Sequence, residues 1–213
     1  MKTFTAASID ALPQRTRANL MNCASGLRSA LLVGTRSNNG TTNLALFSNV
    51  FHVGAAPALI GMIARPKPEG TERHTLDNIL STGCWTLNHV GQSWVSVAHQ
   101  TSARYSGDTS EFGALGLHEE WIEDFAAPFV GRSMIKLGLT LEQHTPLSVN
   151  DTHLLIGRVQ LLRCPAEIMR DDGTLNMAGV DPAVACGLDS YHGVNSAERF
   201  AYAKPNQPPE RLD

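Results

Sequence analysis

The sequence predicts a mainly β protein, an antiparallel barrel or sandwich carrying a few short helices. Three observations lead there. At least six strand-like segments follow one another through short connections. One of them, IKLGLTLEQ over 135–143, alternates without error: Ile135, Leu137, Leu139 and Leu141 face one way and Lys136, Gly138, Thr140 and Glu142 the other. Helical patterns are short, and one of them interrupts the series after the third strand.

The elements follow in order. Residues 1–27 are small and polar and read as an N-terminal arm or short helix. SALLVGTRS (29–37) is an apolar strand ending in NNG (38–40), a strong turn signal. TNLALFSNVFHV (42–53) reads as the single returning strand of a hairpin. PALIGMIARP (57–66) is bracketed by prolines, as a strand tolerates them at its ends. TLDNILSTG (75–83) reads as a helix with Thr75 as N-cap, Leu76, Ile79 and Leu80 on one face, and Gly83 as its stop. CWTLNHV (84–90) is a fourth strand. Between 91 and 130, WVSVAHQTSARY reads as helical and EFGALGLHEEWIEDF as helical pieces broken by Gly113 and Gly116. VND (149–151) turns the chain from the alternating strand into HLLIGRVQLLRC (153–164), and DDGTL (171–175) is a further turn. Residues 205–213 form a Pro-rich tail expected to be extended.

Bulk properties narrow the class. The 213 residues suit one elaborated domain. With 17 Lys+Arg against 20 Asp+Glu and no basic block, a nucleic-acid surface is not expected. No segment has the length and apolarity of a membrane span or a secretory h-region. Cys23, Cys84, Cys164 and Cys186 form no CxxC or CxxH pattern, so they read as reduced, partly buried thiols of a cytoplasmic protein. Eight histidines show no HxH or HxxxH spacing, so no metal site is expected. There is no G-x-S-x-G elbow and no G-x-G-x-x-G dinucleotide fingerprint.

The stretch TTNLALFSNVF (41–51) sets Asn43, Ser48 and Asn49 among apolar neighbours, and buried polar side chains need partners. This segment resembles the N-x-A-x-x-S strand of the flavin reductase-like, FMN-binding split-barrel family. RHTLDNILSTGCWTLNHV resembles that family's T-x-x-N-I helix and following strand, SEFGALGL its E-F-x-x-x-G-L segment, THLLIGRVQ its late strand, and GLDSYHG with ERFAYAKP its closing segment. PALIGMIARP fits the family's strand after a proline. The resemblance covers about residues 28–204 and departs where many relatives carry a Lys and this chain has Arg73.

The resemblance implies a Greek-key split β-barrel binding FMN at a homodimer interface. It also implies electron transfer from NADH or NADPH, in some members onward to a separate monooxygenase. FMN needs cations, hydroxyls and N–H groups for its phosphate, an apolar slot for its ring, and donors along the ring edge where charge builds on reduction. The candidates for the phosphate are Ser48, Asn49, Arg65 and Thr75, with Lys67, Arg73 and His74 in the same loop. Asn43 and Ala45 are assigned to the ring or ribityl wall, Asn88 to the flavin's vicinity, and Ser102 to a loop near the ring. No residue is needed as acid or base, because hydride passes directly between stacked rings. The reading is an NAD(P)H-dependent flavin oxidoreductase; the alternative is a non-enzymatic FMN-binding electron carrier.

Overall fold

The computed structural model describes residues 1–66, 74–194 and 196–212. Two helices open the chain. In α1 (Ala6–Asp10) Thr5 and Ser8 cap each other's backbone N–H. Helix α2 (Gln14–Ala24) follows Pro13 and buries none of its residues. Strands β1 (Arg28–Ser29) and β2 (Leu31–Arg36) lead into the NNG turn, where Gly40 takes φ +96° and its N–H reaches the Ser37 carbonyl at 3.0 Å.

The segment 42–53 is not one strand. It divides into β3 (Thr42–Phe47) and β4 (Val50–Ala55), separated by Ser48 and Asn49. β3 pairs back onto β2, whereas β4 forms a hairpin with β5 (Ala58–Ala64). Helix α3 (His74–Thr82) follows. It begins one residue before Thr75, so Thr75 lies within the first turn and is not the N-cap the sequence suggested. Gly83, at φ +72°, ends the helix, and β6 (Cys84–His89) begins at once.

Helices α4 (Val95–Gln100) and α5 (Glu111–Ala114) and the ribbon of β7 (Glu119–Glu120) with β8 (Phe129–Val130) fill the middle. Gly113 sits inside α5, and the chain leaves the helix through Gly116 at φ +65°. Strand β9 (Lys136–Leu147) runs further than the 135–143 alternation, β10 (Thr152–Arg163) lies one residue ahead of the expected 153–164, and two irregularities in their register let the long hairpin bend. Strands β11 (Ala183–Cys186) and β12 (Ser190–Gly193) join β1 in a small second sheet. The tail is not extended: Phe200 pairs with Arg211, and the Ala201 N–H bonds to the Glu210 carbonyl at 2.9 Å, so the chain doubles back.

The main sheet is antiparallel with strand order β3-β2-β6-β9-β10-β5-β4. Its terminal strands are consecutive in the chain. Laid flat, seven strands would put β3 and β4 about 29 Å apart. Two linking residues let Phe47 and Val50 separate by no more than about 11 Å. The sheet therefore curls until its ends approach. Among the described residues no ladder joins β3 to β4, so the curl is not closed by hydrogen bonds.

Curling gives the sheet two apolar faces. Val33, Met62, Trp85, Leu87, Leu139 and Leu155 pack together with Leu76 and Ile79 of α3. Leu32, Leu44 and Val90 pack on the other face with Trp94, Ala98 and Phe112. Lys136, on the polar side of the alternation, is buried, ion-paired to Glu120 and bonded to the Gly131 carbonyl at 3.1 Å.

Gly34 of β2 marks the tightest crossing. A Cβ there would lie 2.3 Å from the Pro128 carbonyl oxygen and 2.5 Å from Thr86 Oγ1, which are hydrogen-bonded to each other. The obstacle is main chain and a fixed hydroxyl, neither of which moves aside easily. Gly34→Ala is expected to lower unfolding free energy by roughly 1–3 kcal/mol, measured by urea denaturation.

Candidate functional site

The site begins at the Ser48–Asn49 corner. Leaving the ladder there frees main-chain groups that need partners. The Asn49 carbonyl accepts the Ile63 N–H at 2.9 Å, which ties the corner to the end of β5 two residues before Arg65. The Asn49 side-chain oxygen accepts from Arg28 Nη1 at 3.1 Å. The same guanidinium reaches Ser25 Oγ at 3.0 Å and the Asn22 carbonyl at 3.2 Å, so the end of α2 and the corner share one anchor.

A second cluster fixes the start of α3. Asn43 of β3 donates its side-chain amide to Thr75 Oγ1 at 3.0 Å and to Thr35 Oγ1 at 3.3 Å, and Asn78 donates to the same Thr35 oxygen at 3.0 Å. All four residues are buried. Asn43 thus holds the first turn of the helix against the β2–β3 hairpin.

Between the corner, the end of β5 and the start of α3 lies a cavity of about 580 Å³. Seven of the eight candidate residues line it: Asn43, Ala45, Ser48, Asn49, Arg65, Thr75 and Ser102. The eighth, Asn88, does not. It is fully buried, with its Nδ2 on the Leu32 carbonyl at 3.1 Å and Thr86 Oγ1 at 2.9 Å, and its Oδ1 accepting the Val130 N–H at 2.9 Å. Its amide is spent on joining β6, β2 and β8. Lys67 and Arg73 lie outside the described residues.

The cavity also has walls that sequence reasoning left unassigned. Arg104 and Tyr105 follow Ser102 in the same loop, and the cation in that loop was a legible signal. Ala185, Gly187, Leu188 and Tyr191 come from the small sheet. Tyr191 hydrogen-bonds His99 Nδ1 at 2.8 Å, which closes β12 onto α4. Glu111 is the main omission. It is 5 % exposed, and its Oε2 accepts the Leu44 N–H at 2.8 Å on the unpaired edge of β3. Burial raises the Glu111 pKa, while the Leu44 N–H, its own N–H and the nearby His74 pull it back.

These features, a curled antiparallel sheet and a polar-mouthed cavity at its unclosed ends, define a split β-architecture with a ligand-sized pocket. The flavin reductase like domain matches residues 27–179, and the chain belongs to that family. It is 43% identical, over 95% of this chain and 100% of the other, to a split-barrel protein of the flavin reductase type from Shewanella frigidimarina NCIMB 400, with a TM-score of 0.90. Two more distant structures share the fold. Nitrilotriacetate monooxygenase component B of Bacillus cereus superposes with a TM-score of 0.82 at 21% identity, covering 92% of this chain and 97% of that one. Flavoredoxin of Desulfovibrio vulgaris (Miyazaki F) gives 0.73, also at 21%, covering 95% and 98%. No helix among the described residues is long and apolar enough to cross a membrane.

The raised Glu111 pKa has a testable sign. Above the ordinary carboxylate range, the folded protein holds this proton more tightly than the unfolded chain, so the group's contribution to stability falls as pH rises through the folded pKa. Glu111→Gln removes the titration while keeping an acceptor for Leu44. The stability of Glu111→Gln relative to the parent is expected to improve between pH 5 and pH 8, measured by urea unfolding at both values; an unchanged difference would show that burial does not perturb this carboxyl.

Proposed function

We propose that the protein binds FMN in this cavity and acts as an NAD(P)H-dependent flavin oxidoreductase. The observation that carries this reading is the convergence of Ser48, Asn49, Arg65 and Thr75 on one cavity in a chain of this family. Two hydroxyls, an amide, a guanidinium and the first turn of α3 are the donor set a phosphate monoester requires. Small and apolar residues, Ala30, Ala45, Ile63 and Ala185, leave room along the rest of the wall for a flat ring. The volume lies within the usual range for cofactor pockets. The same reading takes the curled sheet as a Greek-key split barrel.

When bound, FMN supplies the ring that accepts hydride. The chain's own residues bind and orient it. Ser48, Asn49, Arg65 and Thr75 hold the phosphate end, with Asn43 setting Thr75 in place. Ala45 allows close approach at the wall, and Ser102 stands in the loop facing it. No side chain would be needed to move a proton, since FMN held here would itself supply the hydride acceptor. A Rossmann site is absent from the sequence, so a nicotinamide would stack directly on the flavin. A separate monooxygenase is the onward acceptor this reading favours, the class of system named for the Bacillus cereus protein. A homodimer goes with it: β4 is an edge strand that leaves Phe51 and Val53 exposed. Light scattering that gives a monomer which still binds FMN tightly would end the dimer reading.

Arg65→Ala is expected to weaken FMN binding about tenfold to a hundredfold while leaving riboflavin affinity nearly unchanged, since only FMN carries the phosphate. Equal losses for both flavins in fluorescence titrations would remove Arg65 from the phosphate site. NADH or NADPH added anaerobically to the FMN-loaded protein is expected to bleach the flavin absorbance within seconds. Persistent colour with both donors would leave the electron-carrier reading standing in place of the reductase.

A further inference from the structure

Cys23 and Cys186 are far apart in sequence and adjacent in space. Cys23 lies in the last turn of α2, and Cys186 ends β11. The Cys23 sulfur sits 2.9 Å from the point a Cβ on Gly187 would occupy, which places it against the residue that follows Cys186 and near enough for Cys186 to raise the Cys23 pKa. Gly187 itself is at φ +70°, so both its backbone and its contact with sulfur require glycine. Cys23 is exposed, so a solute can reach the pair. This corrects the expectation of four partly buried thiols. Cys84 is buried and Cys164 is partly so.

We propose that Cys23 and Cys186 form a reversible disulfide that fastens α2 to the β11 wall of the cavity. The oxidant class is a peroxide. One thiol loses its proton and attacks the peroxide oxygen, which breaks the O–O bond and leaves a sulfenic acid and an alcohol or water. The second sulfur then attacks the sulfenic sulfur and expels water. Two thiols and one peroxide give one disulfide, with two electrons passed to the peroxide.

The place gives the bond a consequence. Helix α2 buries none of its residues, and Arg28 provides its hydrogen bonds to the corner. Residues Ala185, Gly187 and Leu188 flank Cys186 and line the cavity. A covalent link there changes a lightly held helix into a fixed support for that wall. The Cys23 pKa is raised, chiefly by its contact with Cys186, then by burial and Asp189, with Arg28 opposing. Cys23 therefore starts as a thiol at neutral pH, and the bond forms faster as pH rises.

The test uses the full chain as purified and reduced. It is exposed to hydrogen peroxide, then alkylated and digested without reductant. The expected product is a Cys23–Cys186 linked peptide, with two free thiols lost, Cys84 and Cys164 still alkylated, and formation accelerating from pH 7 to pH 9. Melting temperature should rise by roughly 5 °C or more and return after dithiothreitol. Cys23→Ser and Cys186→Ser should each fold and lack both the link and the rise. Recovery of the two cysteines separately as sulfinic acids or alkylated thiols would overturn the proposal. So would links only between chains, or the same rise in either variant.

Discussion

The two-residue corner at Ser48 and Asn49 is the constraint on which the rest of the architecture depends. Strands adjacent in sequence stand at opposite ends of a seven-stranded sheet, and a link this short forces those ends together. They meet without pairing. The Asn49 carbonyl released there accepts the Ile63 N–H, and the Asn49 side-chain oxygen accepts from the Arg28 guanidinium. A gap between unpaired strand ends is a cavity by construction. Its lining is fixed by whatever the chain brings to the corner: the end of β5, the start of α3, and the loop after α4. The polar residues that look misplaced within an apolar strand mark the point where that strand stops.

The other constraint is the position of α3. A helix packed only by Leu76 and Ile79 could slide along the sheet, because apolar contacts are not directional. The Asn43, Thr35, Thr75 and Asn78 cluster removes that freedom. A single threonine oxygen accepts from two amides on two different elements, so the helix has one register in which both amides reach it. Asn43 therefore shapes the cavity in two ways, as a wall and as the brace that orients the residue beside it.

Much of this was legible in the sequence, and what was not has a physical cause. The alternation of 135–143, the NNG turn and the α3 pattern are local signals, and the structure follows them. The break within 42–53 is not local. Each half is good strand sequence, and only the identity of its partner, β2 or β5, separates them. Asn43 and Asn88 are both amides on strands beside apolar residues, yet one faces the cavity and the other is consumed by three bonds among strands. Nothing within a few residues of either distinguishes them. Glu111 and Lys136 are charged residues whose burial depends on partners 67 and 16 residues away, Leu44 and Glu120, which a pass along the chain cannot pair. The Cys23–Cys186 contact was missed for the same reason, since thiol motifs are recognised by close spacing.

Glu111 shows how fold and site share their electrostatics. A carboxylate on the wall of a cavity proposed to hold a phosphate is at first sight misplaced, because like charges repel and burial strengthens the repulsion. Its Oε2 serves the sheet instead. β3 is an edge strand, and without that oxygen the Leu44 N–H would face the interior unpaired. The cost of placing it there is offset locally. Burial favours its neutral form, His74 lies close enough to counter its charge, and Arg65 and Arg104 stand on the same cavity. The chain as a whole is acidic at −3, so this grouping of cations is a property of the corner and not of the surface. The residue that completes the sheet's open edge is also a wall of the cavity, so edge and pocket cannot be altered independently.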